Sequence, residues 1–501
     1  MRRTVIFLFA LLLVLPASAQ RKRPELTAAD VSPVVNNTIG NCNTMIPDDC
    51  SPIPAGDPVP FTGDDGPMRV RRSIFDAMND FYWMQKYEKA IAALRNLPFD
   101  DPRSWCRQAN VHCFNCSGGG STVEVHLNYQ FLPWHRAYLY FYEKILGELI
   151  NDPTFALPYW DWNSASTPDC KAHFQLPPPY ANPASSLYDK NREPRTPAEQ
   201  MRARLVGGGR VNGIIIDNPT QLDFAGGPIN NSEDSALWPG PHGVVHNYVG
   251  LAKSPNNDMG SLAAAARDPI FFAHHANIDR IWDVWWNYYG KPAYTSDFLS
   301  QSFTFYDEKK QWVEIKASDV FDPALLHFRY EPPSKCSVPL PSSAAAADSR
   351  LFVEPRTMPA EIRHRERVPA AAAAPKSMFE GKRVVLHVDD VKVSEQKDAA
   401  VAIFVNMPDA NASTSLDDPH FVDFFTIVSH GNPAHEEHTN RDFTFRLDAN
   451  HLKIIEDAGG TVNVTLVPVS TTEGAPNAKD APARLQISHD PPYVTVEDEK
   501  M

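Results

Sequence analysis

The sequence predicts a mainly α-helical domain, a four-helix bundle with long loops, followed by an all-β sandwich or jelly roll. Three observations carry that prediction. Apolar residues recur at helical spacing in segments starting near Ser73, Pro133 and Asp268. Six histidines fall into two sets of three on or beside such segments: His112, His126 and His135, then His242, His246 and His275. Beyond residue 378 the period becomes that of strands, in RVVLHVDDVKV, AVAIFVN, FTFRL and VNVTLVPVS. At 501 residues the chain is too long for one small core, so at least two domains are expected. Its 43% hydrophobic and 22% charged residues are those of an ordinary soluble protein. A net charge of −14 argues against nucleic acid and anionic membranes as partners.

In chain order, Arg2 and Arg3 precede an apolar run from Val5 to Leu15 and then Ala17-Ser18-Ala19, the pattern of a cleaved signal peptide over 1–19. The run is too short to span a bilayer comfortably, so no membrane association is expected after its removal. Residues 20 to about 70 read as an extended arm stapled by disulfide. Seven cysteines in an exported chain permit bridges. Cys42, Cys50, Cys106 and Cys113 suffice for two, with connectivity open. Cys170 and Cys336 either pair or stay free, which leaves Cys116 for another task. From Ser73 one helix is expected through Leu94, with Ser73 and Asp76 capping it. The helix near Pro133 turns His135 inward with Leu139, Tyr142 and Leu146. His112 and His126 sit in loop-like sequence near Gly118. His242 and His246, four apart, share a helical face. In the last helix Asp268 reads as N-cap, Pro269 as first residue and Gly290 as the end. Two Pro/Ala/Ser-rich stretches make 333–377 a linker and a plausible protease target. The expected organisation is 1–19 signal, 20–332 helical domain, 333–377 linker and 378–501 β domain.

An imidazole-only ligand set, without cysteine or carboxylate, suits copper and disfavours iron–sulfur, calcium or magnesium. Helices presenting such ligands inward make a metal site inside a bundle. The surrounding strings are VHCFNC, EVH and FLPWHRAYLYFYEK for the first set, and PHGVVHNYVG and DPIFFAHHANIDRIW for the second. Together with LPYWDW and FTFYDEKKQWVEI, they resemble the tyrosinase and plant-type polyphenol oxidase family. That family holds two copper ions, each on three imidazoles.

The resemblance implies a catechol oxidase that takes small phenols and O₂ as co-substrates, made as a latent proenzyme that a protease activates. It implies His275 as ligand and His274 beside the site, with Phe271 packed on His275 and Asn277 and Asp279 orienting neighbouring imidazoles. It implies a thioether from Cys116 to His126. The family's glutamate and asparagine that assist monophenol hydroxylation fall at Trp238 and Gly243, so hydroxylation is expected to be weak or absent. The family's phenylalanine gate falls at Leu262. Arg71 or Arg72 with Phe328 and Tyr330 resembles a lock between the ends of the catalytic domain. The AVAIFVN strand resembles the marker of a domain that covers the copper site. His430, His435 and His438 read as solvated loop residues. The alternatives are a haemocyanin-like oxygen carrier and an aurone synthase-like hydroxylase. The signal segment implies a secreted protein, extracellular or vacuolar.

Overall fold

A computed structural model of the chain describes Cys50 and residues 56–116, 125–126, 128–220, 224, 226, 236–250, 258–291, 293–340, 366–369, 382–393, 399–428, 441–473 and 487–498. The signal segment, Cys42, the stretch with His430, His435 and His438, and linker residues 341–365 and 370–381 lie outside the described residues.

Four helices surround the histidines: α1 (Trp105–Cys116), α2 (Phe131–Leu149), α3 (Gly243–Val249) and α4 (Ile270–Tyr288). α2 and α4 are buried on nearly every face, which their apolar and aromatic sequences permit. Two expectations are corrected. His112 is not in a loop, because α1 runs on to Cys116. The helix expected from Ser73 to Leu94 is two helices, Ile74–Ala77 and Phe81–Arg95. Asp80 restarts it, its carboxylate accepting from the Trp83 amide at 3.1 Å. Ser73 caps the first piece through Phe75 N–H, whereas Asp76 accepts from the Ser334 amide and closes no capping box. At α4 the Asp268 carboxylate accepts from Ile270 N–H at 3.0 Å, and Gly290 ends the segment at φ 68°.

The ends of the helical domain meet in a parallel pair of short strands, Arg69–Arg71 beside Phe328–Tyr330. A buried ion network lies under them. Arg69 and Arg71 donate to Glu143 of α2 at 2.7 and 2.8 Å. Arg71 and Arg136 reach Asp279 of α4, and Tyr330 also donates to it. Arg69 pairs with Asp64 at 2.9 Å. Guanidinium and carboxylate charges thus balance, which burial demands. The lock expected of Arg71 or Arg72 belongs to Arg71, whose guanidinium stands 3.9 Å from the Phe328 ring centroid, while Arg72 faces Trp83 and Asp80.

The C-terminal region is a sandwich of two antiparallel sheets. One has the order Phe421–Phe425, Ala399–Val405, Val464–Ser470. The other runs Arg441–Arg446, Lys382–Val393, Tyr493–Asp498, Glu366–Pro369, with Ile487–Ser488 beside Lys382–Val393. Leu386, Val388, Ile403, Val405, Phe425 and Phe443 belong to the core between them. The region is not purely β: Asp448 caps a helix, Ala449–Asp457, whose Ile455 enters that core. Glu366–Pro369, expected in the linker, is an edge strand.

The AVAIFVN strand explains how sandwich and bundle join. Val401, Ile403 and Val405 face the sandwich core, while Ala400, Ala402 and Phe404 join the helical core. Both faces are buried, so the run is apolar throughout instead of alternating. The chain also stays on the helical domain past residue 332. Cys336 is disulfide-bonded to Cys170, its carbonyl accepts from Ala165 N–H at 2.7 Å, and Asn212 donates to the Pro339 carbonyl at 3.1 Å. A second bridge joins Cys50 to Cys113, and Cys106 is also disulfide-bonded.

Candidate metal centre

The structure brings the histidines into two adjoining groups. His112, His126 and His135 form one, and His242, His246, His274 and His275 the other, each with a potential ligand nitrogen within 4.8 Å of the rest. All seven are buried. In the first group ring centroids are 5.1 Å apart for His112 and His126, 5.2 Å for His126 and His135, and 5.6 Å for His112 and His135. In the second, His242 is 4.5 Å from His246 and 5.2 Å from His275. The groups touch where His135 stacks on His275 at 4.2 Å.

Four of the rings are placed by their elements and held by carbonyls. His112 extends from α1 and donates Nδ1–H to Leu262 O at 2.7 Å. His135, in the first turns of α2, donates to Phe131 O one turn back at 2.7 Å. His242 closes a π-helical turn, Trp238–His242, broken at Gly240 (φ −84°, ψ −120°), and donates to Trp238 O at 3.2 Å. His246 follows on α3 and donates to Met259 O at 2.8 Å. His126 lies outside any helix.

A carbonyl can only accept, so Nδ1 carries the proton in these four rings and Nε2 keeps a lone pair. The Nε2 atoms of His112, His135, His242 and His246 are buried and have no hydrogen-bond partner. Orphaned acceptors of this kind cost about 1–3 kcal/mol each unless something fills them. Burial and the neighbouring imidazoles hold His112, His135, His242 and His275 far below their ordinary pKa, and burial lowers His246 to about 4. The rings are therefore neutral at physiological pH, the form that binds a metal. These residues fit a pair of copper ions, each on three imidazoles.

The remaining predicted residues have definite places. Phe271 packs on His275 at 4.2 Å. Asn277 and Asp279 bond to no imidazole. Asn277 bonds Asn163 and Arg280, and Asp279 serves the arginine network. His274 Nδ1 faces Trp162 Nε1 at 3.1 Å. Cys116 ends α1, but its side chain, and with it the expected thioether, lies outside the described residues. Leu262 is buried, and its carbonyl orients His112 whatever its side chain does. Trp238 is likewise buried, 5.9 Å from His242 between ring centroids.

Sequence reasoning missed Met259 and Thr426. Thr426, in the segment after strand Phe421–Phe425, meets the turn that carries His242. Its N–H and Oγ–H both donate to Pro239 O, at 2.7 and 2.6 Å. A Cβ built on Gly243 would meet Thr426 Oγ1 at 1.9 Å, so glycine is what admits this contact beside His242. Asn247, next to His246, faces the Ile427 carbonyl at 3.4 Å. Ion pairs Arg210–Asp423 and Arg204–Asp417, at 2.6 and 2.9 Å, and the strand pair of Gln200–Met201 with Thr472–Glu473 hold the same face.

The sequence matches the common central domain of tyrosinase over residues 102–221 and 178–288, the polyphenol oxidase middle domain over 294–340, and the chloroplastic polyphenol oxidase C-terminal domain over 355–477. The chain belongs to the tyrosinase and plant polyphenol oxidase family. Catechol oxidase B of Solanum tuberosum is 31% identical over 500 residues, covering 90% of this chain and 82% of that protein. A polyphenol oxidase of Vitis vinifera is 36% identical, over 62% of this chain and 55% of its own length. Among solved structures, latent apple tyrosinase aligns with TM-score 0.64 and 27% identity, covering 88% of this chain and all of that one (100%). A functional unit of octopus hemocyanin, at TM-score 0.53 and 16% identity, shares the fold. The helical core and the C-terminal strands of this chain therefore share the fold of that latent enzyme.

Proposed function

We propose that this polyphenol oxidase is a latent catechol oxidase. It would take two catechols and one O₂ to two o-quinones and two waters, with weak or no monophenol hydroxylation. The observation that carries the proposal is the pair of neutral, buried imidazole groups, with Thr426 of the C-terminal region bonded to the Pro239 carbonyl beside His242. His112, His126 and His135 would hold one copper ion, and His242, His246 and His275 the other. A bound copper pair supplies the two-electron redox chemistry between catechol and oxygen. The chain's own residues fix ligand direction through the carbonyls of Leu262, Phe131, Trp238 and Met259. Phe271 and Trp238 keep water out, and Leu262 would act as an aliphatic gate. Four residues before His242 stands Trp238 in place of a carboxylate, which supports diphenol over monophenol chemistry. A thioether from Cys116 would immobilise His126.

The contacts of the C-terminal region with the helical domain support latency. Thr426 bonds the Pro239 carbonyl in the turn that carries His242, and Asn247, next to His246, faces the Ile427 carbonyl, which supports a C-terminal cover that a cut beyond residue 340 would release, since Cys336 ties the chain before it to the helical domain. The charged n-region and Val5–Leu15 run support export, extracellular or vacuolar, although several relatives are named chloroplastic. Among the described residues no helix is long and apolar enough to cross a membrane.

A second reading is a phenol hydroxylase. A relative named (+)-larreatricin hydroxylase is 30% identical over 84% of this chain, and one named aureusidin synthase 36% over 56%. Oxygen uptake by copper-loaded, protease-trimmed protein decides. Fast uptake with catechol and little with the matching monophenol supports the catechol oxidase. Comparable uptake with both supports the hydroxylase, and reversible oxygen binding without turnover would point to a carrier.

A further inference from the structure

Three imidazoles per copper leave one histidine of the second group over. His274 is fully buried, with its ring centroid 5.2 Å from that of His242 and 5.1 Å from that of His246. Four other rings of the centre donate Nδ1–H to a carbonyl, which leaves Nε2 able to bind metal. His274 reverses that pattern. Trp162 Nε1–H lies 3.1 Å from His274 Nδ1, and an indole nitrogen only donates. Nδ1 therefore accepts, and in the neutral ring the proton sits on Nε2. A protonated nitrogen holds no metal. Nε2–H is itself buried with no partner. Nδ1 is taken by Trp162, so Nε2 is the ring nitrogen turned to the other histidines.

The Trp162 geometry is built in. Trp162 is buried, and its N–H bonds the Trp160 carbonyl at 2.9 Å. The next residue, Asn163, accepts at Oδ1 from Asn277 Nδ2 at 3.0 Å and from Arg280 at 2.8 Å. Both donors lie on α4 within two turns of His274. The loop that carries Trp162 is thus clamped to the helix that carries His274, which gives Asn277 its place in the structure.

We infer that His274 is a fixed N–H donor facing the second copper position, set in that tautomer by Trp162, and that its acceptor is the anionic oxygen of a bound phenol. The inference rests on the proposed phenol-oxidising function. A buried donor without a partner is unfavourable, and an anionic oxygen offsets this through a charge-assisted bond about twice as strong as a neutral one. The donor is oriented before substrate arrives, so binding requires no reorganisation. Trp162 is a positioning residue, acting only through His274.

The test uses the copper-loaded, protease-trimmed protein, His274→Phe, His275→Phe and Trp162→Phe, with copper per chain measured by mass spectrometry and 4-nitrophenol as an optical probe of bound phenolate. His274→Phe should keep the copper content of the parent, whereas His275→Phe should lose one ion of the pair. His274→Phe should weaken 4-nitrophenol binding about tenfold or more, the share of a hydrogen bond to a charged group, and raise the apparent pKa of the bound probe. Trp162→Phe, which keeps the ring but removes the indole N–H, should move both in the same direction with copper retained. Loss of one copper in His274→Phe overturns the inference and makes His274 a ligand. Copper retained with probe affinity within about twofold of the parent in both His274→Phe and Trp162→Phe also overturns it, and leaves the oxidase reading standing. A parent protein that takes up copper yet neither oxidises catechol nor binds the probe overturns both.

Discussion

Gly243→Ala should uncouple the C-terminal cover from the copper centre. Gly243 has φ −66° and ψ −31°, already helical, so alanine adds no backbone strain, and in a helix it is favoured by about 1 kcal/mol. The whole effect is therefore steric. The new Cβ would lie 1.9 Å from Thr426 Oγ1 and 3.0 Å from Thr426 Cβ. Rotating the hydroxyl away relieves the first clash but breaks its bond to Pro239 O. The second contact is tight and shifts the segment that carries Thr426 by a few tenths of an ångström, which weakens, at most to full loss, the Thr426 N–H bond to the same carbonyl. Two neutral hydrogen bonds at about 1 kcal/mol each make about 2 kcal/mol. That is about a 30-fold shift in the equilibrium between covered and open forms. The assay is oxygen uptake with a simple catechol, for each protein before and after proteolysis of the linker. The ratio of trimmed to untrimmed rate, which makes each protein its own reference, should fall by up to about 30-fold in Gly243→Ala. Thr426→Val, which removes only the hydroxyl bond, should lower it about fivefold, for about 1 kcal/mol. If both ratios equal that of the parent, Thr426 does not govern access and the assignment of the cover is wrong.

Other consequences concern stability. The copper-free protein should lose stability as pH falls. Its buried histidines have folded pKa values below the ordinary 6.5, with His246 at about 4, so the unfolded chain binds more protons between those limits. Their contribution is complete above pH 6.5 and is lost as pH falls toward 4, and melting curves with and without copper should diverge over that window. Glu143→Gln leaves Arg69 and Arg71 buried without their shared carboxylate and should cost about 3–5 kcal/mol in denaturant titrations. A cost below about 1 kcal/mol would mean that the network is not a fixed strut between α2 and the strand ends. Asp189 and Asp258 are held above the ordinary carboxyl range by burial and, for Asp189, by neighbouring Asp268, despite Arg192 and Arg267 nearby. Carboxyls raised in this way stabilise the fold only while protonated, and that contribution declines as pH rises from about 3.8 through their folded values. Asp258→Asn should then raise the neutral-pH melting temperature by about 1 °C per kcal/mol recovered, with the gap to the parent closing toward pH 4.

The two histidine groups were legible in the sequence because His135, His246 and His275 sit in strings whose helical period was also legible. FLPWHRAYLYFYEK and DPIFFAHHANIDRIW carry apolar and aromatic residues on every face, a pattern that suits a helix at the centre of a domain. The two-faced burial of the Ala399–Val405 strand could also be read there, since AVAIFVN does not alternate. What fixes the ligands was not legible. His112 and His246 are oriented by the carbonyls of Leu262 and Met259, and any residue offers a carbonyl. Side-chain reasoning at Leu262 reached only the question of a gate, while its backbone holds the first group in line. The same physics hid the cover. Thr426 has no motif of its own, and it bonds a proline carbonyl across 187 residues of chain. The signal that could have found it is Gly243, a glycine directly after a ligand in helical conformation, where glycine is costly unless a close approach requires it. His274 shows the opposite case. The sequence offers two adjacent histidines of equal chemistry, and only the side from which Trp162 approaches separates the one that donates a proton from the one that can accept a metal.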